Sequence, residues 1–157
     1  MAENENCCDD GNGENEDFIE LNNYGMEAID IGGFYFTDDL SDSTQYQITD
    51  SSASETTIDA GGFLVIWADK DPEQGPLHVD FKLSSSGEDI GIYDPNGSAI
   101  IEMSFSSQGE DTSYGRYPDG SDTWQFMNPT PGMANAEELS SNNNFVIPDQ
   151  YLSLIHI

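Results

Sequence analysis

Cationic side chains are nearly missing from this chain, which sets three Lys and Arg against 31 Asp and Glu in 157 residues, a formal net charge of -28. Such a surface repels nucleic-acid phosphates and anionic bilayers, so neither is expected as a partner. Cysteine is as scarce. Cys7 and Cys8 are adjacent, and a bridge between neighbours departs from ordinary disulfide geometry, so they define no disulfide framework. Their thiols are free, ligate a metal or pair with partners outside this sequence, and the spacing does not choose. No run of 18 apolar residues occurs, and the first twenty residues are acidic rather than basic and then apolar. Neither a spanning helix nor a secretory leader is visible.

Catalytic signatures are also lacking. His78 and His156 are the two histidines, and no Gly-x-Ser-x-Gly, His-Glu-x-x-His or phosphate-loop pattern occurs. Paired acids are always available among so many carboxylates, but nothing singles out one pair. The expectation is therefore a non-enzyme.

What is present is a β pattern on a scale suited to one domain. Phe18-Ile-Glu-Leu21 reads as a short strand. Ile29, Ile31, Phe34 and Phe36 read as one strand carrying a bulge at Gly32-Gly33. Residues 37–60 are polar with scattered Tyr46, Ile48 and Ile58, which suggests edge strands and turns rather than helix. Phe63-Leu-Val-Ile-Trp67, bounded by glycines and by Asp69-Lys-Asp-Pro72, is a central, well-covered strand with Trp67 in the core. Ile90 and Ile92, then Asp94-Pro-Asn-Gly97, then Ala99, Ile101, Met103 and Phe105 make a β-hairpin. No segment holds a helical period over ten residues. The whole reads as an all-β sandwich of about seven to nine short strands.

The stretch Ser113-Tyr-Gly-Arg-Tyr-Pro-Asp-Gly120, followed by Trp124 and Asn128-Pro-Thr-Pro-Gly-Met-Ala-Asn135, resembles the closing signature of the lamin tail domain. Three more segments fall in that family's order: Asp17-Phe-Ile-Glu-Leu21, Gly61-Gly-Phe-Leu-Val-Ile-Trp-Ala-Asp69, and Phe81 to Asp94. The resemblance covers residues 17–135. It implies an immunoglobulin-like sandwich of the type found in secreted bacterial multidomain proteins, acting as a non-catalytic interaction or spacer module outside the cell. Partners would be other domains of the same polypeptide, a cell-surface protein or a glycan.

The resemblance also bears on both ends. Met1-Ala-Glu-Asn4 falls inside the family's opening pattern, so the first strand of the sandwich is expected to lie upstream of Met1. Residues 1–16 then form an acidic loop and 136–151 a polar linker. Leu152-Ser-Leu-Ile-His-Ile157 reads as the translation of a common transposase sequencing adapter, the alternative being a real strand that opens a following domain.

The acidity has two readings, a solvated surface and a cation-binding one. Asp9, Asp10, Asn12, Glu14 and Asp17 offer hard oxygen ligands among glycines, which suits calcium without matching an EF-hand. A solvated loop is the plainer reading. Calcium there would support a second function, a calcium-dependent carbohydrate or cell-surface binding module; a small metal-dependent hydrolase is a third. Arg116, between Tyr114 and Tyr117, suits a carboxylate and an aromatic face and is expected to tie parts of the sandwich together, with Tyr114, Asp119 and Trp124 as structural companions. Trp67 with Trp124 as a sugar platform is the rival to simple packing.

Overall fold

A computed structural model describes residues 1–136; the expected linker beyond residue 136 and the 152–157 segment with His156 lie outside the described residues. Ten strands and one helical turn are ordered β1 (Asp17–Asn22), β2 (Ile29–Asp30), β3 (Tyr35–Thr37), β4 (Tyr46–Gln47), α1 (Ala53–Thr56), β5 (Thr57–Ile58), β6 (Phe63–Ala68), β7 (Gly87–Tyr93), β8 (Ala99–Ser106), β9 (Ser113–Arg116) and β10 (Trp124–Met127). This is an immunoglobulin-like all-β arrangement whose sheets stay open. One layer is β1 against β6, antiparallel with Ile19 opposite Ile66 and Leu21 opposite Leu64. The other is a four-stranded sheet in the order β4-β3-β7-β8. Two small pairs, β2 with β5 and β9 with β10, complete the set.

The core lies between the layers. Ile19, Leu21 and Ile66 meet Phe36, Ile90, Ile92 and Phe105 there. Strand alternation sends the other residues of β1 to the opposite face. Those residues are covered too: Phe18 packs edge-on against Trp67, with ring centroids 5.7 Å apart, and Glu20 accepts the Gly132 N–H. Trp67 is thus half-buried beside Phe18, outside the core that the sequence assigned it.

β6 is flanked on its other side by the chain from Leu77 to Leu83. The Trp67 N–H donates to Leu77 O, and the Val79 N–H donates to Trp67 O. Val79, Phe81 and Leu83 are buried while Asp80 and Lys82 are exposed, so this segment contributes to the core with a two-residue period. β6 is central as expected, but its residues are only partly covered at Phe63, Leu64 and Val65.

Four expectations need correction. Gly32-Gly33 does not bulge one strand. Gly33 has φ +84°, the Phe34 N–H bonds Ile31 O and the Gly33 N–H bonds Ile48 O; the resulting turn passes the chain from the β2–β5 pair to the four-stranded sheet. A glycine pair fits both geometries, and pairing elsewhere decides between them. Residues 53–56 form a helical turn, where no helix was expected. Its last residue, Thr56, is buried and donates its hydroxyl to Asp30 at 2.6 Å. Residues 1–16 are not all loop: Met1 and Ala2 are buried, and Met1 exchanges a pair of backbone bonds with Phe18 as strand neighbours do. Cys7 and Cys8, expected as free thiols, metal ligands or partners of outside groups, are instead joined to each other as a vicinal disulfide, an outcome that adjacency in sequence argued against.

The hairpin β7–β8 forms as its pattern required, with Ile90 opposite Met103 and a bulge at Ile92/Tyr93. Asp94 caps the connection by accepting the N–H groups of Asn96 and Ser98 at 2.9 and 2.8 Å, and Gly97 takes φ +82°. At the other end Gly87 has φ +108°, and a Cβ there would lie 2.8 Å from the Phe105 carbonyl oxygen. Around Gly97 that space is open. Gly97→Ala should therefore cost about 1–2 kcal/mol for the backbone conformation alone. Gly87→Ala should cost about 1–3 kcal/mol more from the clash, and paired urea melts showing equal losses would refute the difference.

Burial pushes the Glu20 carboxyl up to about 7, with the Gly132 N–H opposing the rise and Asp119 adding to it. Burial also pushes the Met1 amino group down to about 5, against the pull of Asp17 and Glu20. The two act in opposite directions on stability. Glu20 binds its proton more tightly folded than unfolded, so its contribution is lost as pH rises from about 4.5 toward 7. The amine binds its proton less tightly folded, so its penalty grows as pH falls from 8.0 toward 5. In Glu20→Gln the first effect vanishes, and its stability relative to the parent should improve by roughly 2–3 kcal/mol between pH 5 and pH 8. Urea midpoints at the two pH values measure this; an equal offset at both would mean Glu20 titrates as an exposed carboxylate.

Candidate functional site

The acidic loop at residues 9–15 is a tight hairpin. Asp9 and Asn15 bridge across it, the Asp10 N–H donates to Glu14 O at 2.9 Å, and Gly11 and Gly13 take φ +88° and +90°. Much of its carboxylate capacity is used locally. Asp9 accepts the Gly11 N–H at 2.9 Å, while Asp10 accepts the N–H groups of Asn12 and Glu14 at 2.8 and 3.1 Å. Slight desolvation works against ionisation of Asp10, but these N–H bonds and nearby His78 hold its carboxyl below the usual range. Asp17, raised by burial, accepts the Asn4 N–H at 3.3 Å.

A second loop, 69–78, docks against this hairpin through Gln74. Its amide receives the Asn12 side chain at 2.6 Å and donates to Glu14 at 2.9 Å and Asp71 at 3.1 Å. Asp10 thereby joins Asp69 and His78, each offering a ligand atom within 4.8 Å of the others. Of the residues expected to hold calcium, Asp10 enters this group; Asp9, Glu14 and Asp17 do not. Sequence spacing gave no sign that Asp69 and His78 belong with Asp10, since the two lie nine positions apart in an irregular segment. Their side chains are hydrogen-bonded through His78 Nδ1 and Asp69 Oδ2, and both residues are buried.

The aromatic residues of the closing stretch pack on their own neighbours. Tyr114 stacks on Trp124 with centroids 5.5 Å apart, and Phe126 lies 5.0 Å from Tyr114. The Arg116 guanidinium sits 5.2 Å above the Trp124 ring, donates to Ser121 O at 3.2 Å and has exposed Asp122 at 3.7 Å. It therefore closes the local β9–β10 turn. Asp119 accepts the Asn135 N–H at 3.2 Å, and the Asn135 side chain donates to Arg116 O at 2.6 Å. Together with the Gly132 bond to Glu20, these contacts strap residues 130–135 across the outer face of β1. Trp67 and Trp124 thus have separate packing partners, Phe18 and Tyr114.

A different kind of surface opens beside the core. Leu21, Ile31, Ile58 and Ile92 wall an apolar cleft of about 190 Å³, with Asn22, Asn23, Phe34 and Ile101 also lining it. At its mouth Ile29 and Ile100 are 44% and 53% exposed. The sequence pattern marked Ile29 as inward-facing and did not single out Ile100. The register shift between Ile92 and Tyr93 pairs them with Ile101 and Ala99, so Ile100 is the extra residue of the bulge.

Among the described residues no helix is long and apolar enough to cross a membrane. No curated protein and no solved structure matches the chain. A family model described as Lamin Tail Domain matches residues 5–107, from the acidic loop through β8. Ser113 to Asn135 lie beyond the match, although the strap ties them to β1. Lamin tail domains are immunoglobulin-like interaction modules, and with more than half of its length matched, this chain belongs to the lamin tail domain family.

Proposed function

We propose that this domain is a non-catalytic interaction and spacer module of a larger exported bacterial polypeptide, and that it meets a protein partner through the apolar cleft. The cleft carries this reading. Large aliphatic side chains exposed together at the mouth of a concave apolar surface mark interaction sites more often than chance exposure does. On a chain of charge -28, the complementary ligand presents apolar side chains on a cationic segment. The acidic surface suits an extracellular or cell-surface setting. The perturbed carboxyl of Glu20 lies sealed beneath Gly132, where it has structural work and no access to substrate.

A peptide of alternating Leu and Lys is a direct probe. Added to the isotopically labelled domain, it should shift the amide resonances of Leu21, Ile58, Ile92 and Ile100 saturably. Ile100→Asp should weaken that binding while changing stability by no more than about 0.5 kcal/mol, as is usual for an exposed position. Shifts confined to the acidic loops would reduce the interaction to charge alone and remove the cleft from the argument.

A second reading, a calcium-dependent carbohydrate or cell-surface binding module, has less support: Asp9 and Asp10 accept amides of their own turn, and the group that Asp10 joins includes an imidazole, which calcium does not favour. Glycan-array binding abolished by a chelator would establish it over the first.

A further inference from the structure

Asp69 follows directly on β6, His78 stands in the segment that pairs with it, and Asp10 reaches them from a hairpin far away in sequence. Asp69 and His78 are each 6% exposed. Asp10 brings a second carboxylate to the buried Asp69–His78 pair, and a carboxylate out of water calls for a compensating partner. Lys82 pairs with Glu16 and Arg116 with Asp122, and Lys70, next to Asp69, is exposed. A metal ion would neutralise the group directly.

We infer that Asp10, Asp69 and His78 form a binding site for a first-row transition-type divalent cation of the zinc class. The donor set decides the class. Calcium takes oxygen ligands, whereas an imidazole nitrogen with carboxylates suits zinc and its neighbours. Such ions bind nitrogen and oxygen at about 2.0–2.2 Å, which sets their ligand atoms roughly 3–4 Å apart. The three atoms here lie within 4.8 Å of one another. Coordination requires Asp10 to close on the pair, and Asp69 and His78 to exchange their mutual hydrogen bond for the ion.

Supporting contacts hold the donors in place. Asp69 Oδ1 accepts the Asp71 N–H at 2.9 Å, which orients the carboxylate as second-layer bonds do in metal sites. Gln74 fixes the hairpin carrying Asp10 against the loop carrying Asp71. Three protein donors leave at least one position for water or for a donor from a partner. The ion would therefore tie the two loops together and present an open coordination site at their junction. This proposal is independent of the apolar cleft.

Calorimetric titration of zinc chloride into the whole chain, at physiological ionic strength, tests it. The background should carry Cys7→Ser, Cys8→Ser and His156→Ala so that no other nitrogen or sulfur donor of those residues competes. One saturable equivalent is expected, with calcium binding more weakly. Asp10→Asn and His78→Gln should each weaken zinc binding by about tenfold or more, and Asp9→Asn should leave it unchanged. Asp10 lies on an outer hairpin, so Asp10→Asn decides the matter even if His78→Gln does not fold. Absent saturation, equal affinity in Asp10→Asn, an equal loss in Asp9→Asn, or calcium binding as tight as zinc would each overturn the site.

Discussion

Burial of β1 on both faces is the constraint on which the rest of this domain depends. Ile19 and Leu21 belong to the core shared with the four-stranded sheet. On the reverse face Phe18 requires Trp67 and Glu20 requires the 130–135 strap. The strand therefore joins β6, the amino-terminal residues and the 130–135 strap into one body. Glu20 is the vulnerable element of that arrangement, since a buried carboxylate has to find N–H partners or stay protonated. One short backbone N–H bond from Gly132 meets that need, and it also fixes where the closing segment lies.

The extreme acidity has a structural use that composition alone conceals. Asp9, Asp10, Asp30, Asp39, Asp42, Asp69 and Asp94 each accept the N–H of the residue two positions on. Aspartate does this because its short side chain folds back on its own turn, supplying an acceptor where regular pairing has stopped. Many carboxylates are thus turn-formers in a protein made of short strands. For Asp30 and Asp39, hydrogen bonds hold the carboxyl below its usual range, so their contribution to stability is present at neutral pH and is lost on acidification. The repulsion of the remaining charge persists, which is why counterions should matter to this fold.

The sequence reveals features whose cause is local. The hairpin from Gly87 to Ser106 is legible because alternation and the Asp94–Gly97 turn agree. Arg116 reads from sequence as suited to an aromatic face, but the ring it meets is Trp124, its partner across the β9–β10 pair, eight positions further along the chain. Gly32-Gly33 misleads because the choice between a bulge and a change of sheet is made by partners at Ile48 and Thr56, distant in sequence. Trp67 misleads because an unbroken apolar run does not say which face of β1 it will meet. The segment from Val79 to Leu83 carries a readable two-residue period, yet His78 at its start acquires meaning only when Asp10 arrives across the fold.

Asp10 shows why a list of oxygen donors in one loop is a poor description of a site. Its neighbours in sequence are near it, but Asp9 and Asp10 bond to amides within their own turn, which directs those oxygens inward to the hairpin. What makes Asp10 different is tertiary: the Gln74 amide seats the hairpin on the loop after β6, and that brings Asp10 to a buried imidazole. A calcium loop must wrap its donors around one centre with its own backbone. Here the local turn is already satisfied, and donors from distant parts of the chain come together at the junction of two loops, an oxygen from one beside an oxygen and a nitrogen from the other.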